Sequence, residues 1–186
     1  MEFVSDRVSV DRSKGRLSIV ISARLSRGKE TLLLTWFLAW LACGGYVILE
    51  ITRLPAGNER QFLIAFLAFW LYFVLRIGRV VAWRLKGFES LRVKDGVLTI
   101  KNSIFGFGRA HDHFTDNITG LRLLDLDPRS WKFQLNESFW VMGGERLRFE
   151  HVGKQVIFAK GLDPQEAARV LAILKAELAK ARKAVS

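Results

Sequence analysis

The residues best suited to hold a metal ion are His111, Asp112 and His113, with His151 further along the chain. In an extended segment successive side chains alternate, so His111 and His113 share one face and Asp112 takes the other. Two imidazoles fall short of the three or four protein ligands that zinc takes, and His151 would have to arrive as the third. A solvated strand is the simpler reading, and no metal is expected. Nucleophilic chemistry fares no better. The one cysteine, Cys43, stands in an apolar run and reads as a small packing residue. No Gly-x-Ser-x-Gly elbow is present. Phe105-Gly-Phe-Gly108 lacks the Lys-Ser/Thr and the helix of a phosphate loop. No catalytic residue, no cofactor and no enzymatic activity are expected.

The cations are more informative. The formal net charge is +11, which suits nucleic acid, anionic lipid or a membrane topology bias. Arg76, Arg79, Arg84 and Lys86 form one cluster beside an apolar run, where each cation gains on the order of 1 kcal/mol near anionic lipid. They are candidates for headgroup contact or for fixing topology. Arg92, Lys94, Lys101, Arg109, Arg122, Arg129 and Lys132 follow and read mainly as a solvated face. No aromatic platform of the kind that stacks RNA bases accompanies them, so no nucleic acid is expected. Trp131, Phe133, Phe139 and Trp140 read first as core; those of them that are exposed are candidate contacts for a protein partner, since aromatics dominate interface energies.

Two apolar runs must position these groups. Thr31–Leu49 holds no charge in 19 residues, and at about 1.5 Å per residue it reaches roughly 29 Å, the thickness of a bilayer core. Phe62–Leu75 is shorter but extends through Val80 or Val81 if the arginines snorkel. A transmembrane helical hairpin over 30–84 is predicted, with helices at about 31–51 and 61–82. Ala39, Ala42, Cys43, Gly44 and Gly45, with Ala65 and Ala68, offer a close-packing seam. Tyr46 and Trp83 suit interface anchors. The flanks carry Arg7, Arg12, Lys14, Arg16, Arg24, Arg27 and Lys29 on one side and the four clustered cations on the other. The connection offers only Arg53 and Arg60. Both termini are therefore expected in the cytoplasm, with the chain in the cytoplasmic (inner) membrane. Met1–Lys29 shows no leader-like apolar stretch with a cleavage site, so no cleavable signal is expected.

The N-terminal segment 1–29 contributes a short strand, Leu17–Ser22. From Gly87 the pattern changes to strands: Phe88–Lys94, the turn signal Asp95-Gly96, Val97–Lys101, Arg109–Phe114, Ile118–Leu126, Arg146–Glu150 and Gln155–Ala159. Asp127–Glu145 gives no clear pattern. Asp163-Pro-Gln-Glu166 then has the cap, the N1 proline and the N3 acid of a helix start. Leu162, Ala167, Val170, Leu171, Leu174 and Leu178 recur at helical spacing to about residue 183. The predicted fold class is an α+β membrane protein. A transmembrane hairpin precedes an antiparallel domain at 87–186, and a C-terminal amphipathic helix closes it in a pleckstrin-homology-like (PH-like) order.

Several motifs recur together: Leu17–Ser22 before a Trp36/Trp40 helix, Trp83–Glu89, Asp95–Ile100, Phe105–Arg109 and Phe158–Asp163. In this the chain resembles a group of uncharacterised bacterial two-pass membrane proteins with a cytoplasmic PH-like domain. The layout is also similar to that of the photosystem I assembly protein of plastids and cyanobacteria, although no motif here carries that role across. The resemblance implies architecture and supplies no catalytic residues. The functional expectation is a non-enzymatic interaction or assembly module at the cytoplasmic membrane face, binding a membrane protein complex. The alternative is anionic-lipid headgroup binding by the PH-like domain and the juxtamembrane cations.

Overall fold

The computed structural model describes residues 2–13, 15–125, 129, 131, 138 and 140–185. Three strands come first: β1 (Glu2–Phe3), β2 (Val8–Ser13) and β3 (Arg16–Ser22). Two long helices follow, α1 (Arg27–Arg53) and α2 (Asn58–Lys86). Then come β4 (Gly87–Lys94), β5 (Val97–Ile104), β6 (Ala110–Phe114), a short 3-10 turn, β7 (Ile118–Leu123), β8 (Glu145–His151), β9 (Lys154–Lys160) and the terminal helix α3 (Pro164–Val185). The chain is thus α+β, with β1 to β6 in one antiparallel sheet and β7 to β9 in another.

The N-terminal segment does more than predicted. It supplies three strands instead of one, and β3 pairs with β4 from Leu17↔Val93 to Ser22↔Phe88. The two helices are therefore spliced between neighbouring strands of one sheet. The ladder runs on to the helix bases, where the Ala23 amide donates to the Gly87 carbonyl at 3.1 Å. Val8 and Val10 alternate with polar residues and bury on the same face as Leu17, Ile19 and Ile21.

The core lies between the two sheets and α3. Leu91, Val93, Leu98 and Ile100 meet Leu147, Phe149 and Phe158, and Val170, Leu174 and Leu178 close the stack. Each such side chain contributes about 1.5–3 kcal/mol by leaving water. The start of α3 is a reciprocal cap: the Glu166 amide donates to Asp163 Oδ1 at 2.7 Å and the Asp163 amide to Glu166 Oε2 at 3.0 Å. Arg7 joins it, 2.9 Å from the same carboxylate oxygen, tying the start of the chain to its last helix.

Both long helices extend past their predicted ends and are long and apolar enough to cross a membrane. Leu38, Ile48, Phe62, Phe69, Leu71 and Leu75 are exposed on them, an apolar surface unusual in water. Only Gly44 of the expected small-residue seam serves it. A Cβ there would lie 2.1 Å from the Trp70 ring, and Trp70 Nε1 donates to the Trp40 carbonyl at 2.9 Å. Ala39, Ala42, Cys43, Gly45, Ala65 and Ala68 do not share the Gly44 face and are exposed or nearly so, because bulky rings rather than backbone contact fill the seam. Phe37 packs on Gly78 further along, so the helices run antiparallel.

Candidate functional site at the helix–sheet junction

No linker separates α2 from β4, since Gly87 follows Lys86 directly. The last turns of α2 are consequently drawn into the domain. Val80, Val81, Trp83 and Arg84 are all buried there. Gly87 is obligatory, because a Cβ would meet the Trp83 carbonyl at 2.3 Å and its ring at 2.5 Å. Trp83 is thus a structural post inside the junction rather than an exposed interface anchor. The Lys160 ammonium stands 5.7 Å from its ring centroid.

Glu89 is the central group. It shares strand parity with Leu91 and Val93, so β4 aims it at the core, and it is 1% exposed. Its Oε2 accepts the Lys160 amide at 2.8 Å. Its Oε1 finds no partner among the described residues. Burial pushes the carboxyl up to about 7. The Lys160 amide and then the Lys160 ammonium pull it back, while Glu145 raises it. Lys160 and Glu145 are 3.7 Å apart. Opposite Glu89 in register stands Asn102, whose Oδ1 is also buried without a partner among the described residues. Chemically the junction gathers a carboxyl of raised pKa, an ammonium and an indole ring at one place.

The four clustered cations separate. Arg84 is 6% exposed and donates from Nη2 to the Val141 carbonyl at 2.8 Å. It is turned into the domain, away from any headgroup, because its face of α2 is the one that meets the 140–142 segment. Arg76 and Arg79 stay exposed on α2, and Arg76 Nη1 donates to Tyr72 Oη at 3.2 Å. They line a cleft of about 470 Å³ with Tyr72 and Leu75, closed on the other side by Trp140, Val141 and Met142. Lys86 is exposed and does not line it.

The aromatic candidates also divide. Trp140 packs edge-on against Trp36 of α1, with ring centroids 4.7 Å apart, so it is an internal contact. Trp131 is 66% exposed. Phe133 and Phe139 lie outside the described residues, as does Lys132. The fold does bring His151 to His113, ring centroids 4.8 Å apart, and Asp112 Oδ1 accepts from Thr99 Oγ1 at 2.6 Å. Among the described residues no group of three potential ligands assembles.

Sequence reasoning missed Glu89, Trp83 and Lys160 as a unit. The parity of Glu89 with Leu91 and Val93 was the available signal. Comparison with known families, characterised proteins and solved structures finds no match to this chain.

Proposed function

We propose that this chain is a membrane-anchored, non-enzymatic interaction module. In this reading α1 and α2 cross the bilayer as a hairpin, and the two-sheet domain rests on the cytoplasmic face to bind a protein of a membrane complex. The carrying observation is the splice of two apolar helices between the paired strands β3 and β4. Neighbouring strands cannot lie on opposite sides of a bilayer, so both polar ends share a side. The cation-rich flanks against a connection with only Arg53 and Arg60 support the cytoplasm as that side. The direct passage from α2 into β4 makes the mount rigid, which fixes the face the domain presents and holds it at high local concentration. Two antiparallel sheets closed by a C-terminal helix support a PH-like reading of the domain. Exposed Trp131 and the outer edge of β6 are surfaces a partner could use.

The test is to crosslink the full-length protein in its native membrane, recover it by affinity and identify what accompanies it by mass spectrometry. One membrane complex in stoichiometric amount is expected, with recovery reduced by Trp131→Ala. Recovery of lipid and background proteins alone would overturn the reading. Single cysteines at Ala56 and at Asp95, in a Cys43→Ala background, check topology. The first should react with an impermeant reagent from outside the cell, the second only after lysis.

The second reading, anionic-lipid binding, is favoured by one specific observation: Arg76 and Arg79 share a single cleft.

A further inference from the structure

The geometry points to the cleft between α2 and the Trp140–Met142 segment as a binding site for one anionic phospholipid, its phosphate held by Arg76 and Arg79 and an acyl chain lying along Tyr72 and Leu75. The inference rests on the membrane reading above and names the ligand of one site within it.

Arg76 lies on α2 between Trp70, which faces Trp40 and Gly44 of α1, and Gly78, which faces Phe37. The opposing residues of α1 stand well inside its uncharged run, which begins at Thr31. At about 1.5 Å per residue, Arg76 sits roughly 10 Å below the start of that run. An arginine so placed needs an anion or water drawn down to it. The Trp140–Trp36 contact brings the loop segment to a similar level, so the two arginines open into a cleft rather than onto continuous lipid.

Among the described residues neither Arg76 nor Arg79 has a carboxylate within ion-pair distance. The one hydrogen bond from Arg76 to Tyr72 uses a single donor of a five-donor group. Two adjacent guanidinium groups match the oxygens of a phosphodiester. The remaining wall is mainly apolar, and Leu75 and Tyr72 are 67% and 56% exposed on the outward side of α2. A cleft with a cationic notch and an apolar exit fits an amphiphile better than a free ion.

The full-length protein is placed in nanodiscs of mixed phosphatidylglycerol and phosphatidylcholine, and retained lipids are counted by native mass spectrometry. The wild type should keep one phosphatidylglycerol in preference to phosphatidylcholine. Arg76→Gln/Arg79→Gln should weaken retention about thirtyfold, and Met142→Trp, which fills the cleft while sparing both arginines, should act in the same direction. Lys86→Gln should retain lipid like the wild type. Four results overturn the site: no preference in the wild type, undiminished retention in both cleft variants, equal loss in Lys86→Gln, or displacement by inorganic phosphate. Alkaline carbonate washing of native membranes separates the two readings. Release of the wild type overturns the membrane reading itself, whereas firm retention without a lipid preference overturns the cleft alone.

Discussion

Following β4 and β5 from one end of the sheet to the other, the core face changes its chemistry. Away from the helices, Val93 faces Leu98 and Leu91 faces Ile100, all of them buried, and Asp95-Gly96 closes the hairpin. Beside the helices the same face carries Glu89 opposite Asn102, with Lys160 and Glu145 close by. The distal end is an ordinary apolar core, stabilised by transfer from water. The helix end buries ionisable groups, whose desolvation leaves little net stability. What those groups do is join pieces. The Lys160 amide of β9 donates to Glu89 of β4, the Lys160 ammonium stands over Trp83 of α2, and the Arg84 guanidinium donates to the Val141 carbonyl. One end of the domain holds it folded; the other sets its angle on the helices.

The sharpest way to break this contrast is to cut one buried group at each end. Leu98→Ala should lose about 2–5 kcal/mol, the cost of a cavity in a close-packed core. Ser103→Ala should be neutral or slightly stabilising, because Ser103 is fully buried and its Oγ lacks a partner among the described residues. Thermal unfolding of the full-length protein in detergent micelles reads both. Equal losses would mean that the two ends are held by the same forces.

Glu89 gives the next largest effect. Its folded pKa of about 7 lies above the ordinary 4.5, so the folded chain binds more protons than the unfolded chain between those values. Stability therefore falls as pH rises from about 4.5 to about 7 and then stays low. The penalty at pH 8 is on the order of 3 kcal/mol. Glu89→Gln keeps an acceptor for the Lys160 amide and removes the charge. It should raise the unfolding temperature at pH 8 and leave it little changed at pH 4. An equal shift at both pH values would show that ionisation of Glu89 is not what the junction bears.

Much of the distal end was legible in the sequence, and little of the junction was. Asp95-Gly96 announces its hairpin because both residues tolerate positive φ, and they adopt 48° and 71°. Asp163-Pro-Gln-Glu166 announces its helix because a capping box is local. The pairing of β3 with β4 bridges the whole helical hairpin, and no local signal spans that distance. Val8-Ser-Val10 alternates, but it reads as a strand only once its partner β3 is known. The burial of Arg84 depends on which face of α2 meets the domain, and a run of cations in sequence does not say that one of them will turn inward.

The smallest effect is expected at two hairpin turns. Phe105-Gly106 closes the β5–β6 hairpin with φ of 52° and 87°, and Val152-Gly153 closes β8–β9 with 50° and 70°. Neither Phe nor Val is suited to that region, and β-branched Val is the worse of the two. Their surroundings differ. Ile104, just before Phe105, pairs with Gly87 at the base of α2, so Phe105 and Phe107, 61% and 84% exposed, sit at the helix end. Val152 is 72% exposed at the distal end. Asparagine adopts positive φ readily, so Val152→Asn should gain about 1 kcal/mol whatever surrounds the protein. Phe105→Asn relieves a similar strain but forfeits a ring that, on the membrane reading, meets the bilayer interface beside Lys101 and Arg109. Its gain in liposomes should therefore be smaller than that of Val152→Asn, and near zero. Equal gains for the two variants, measured as shifts in unfolding temperature in the same liposomes, would mean that the Phe105 ring touches only water. The helix end of the domain would then stand clear of the membrane surface.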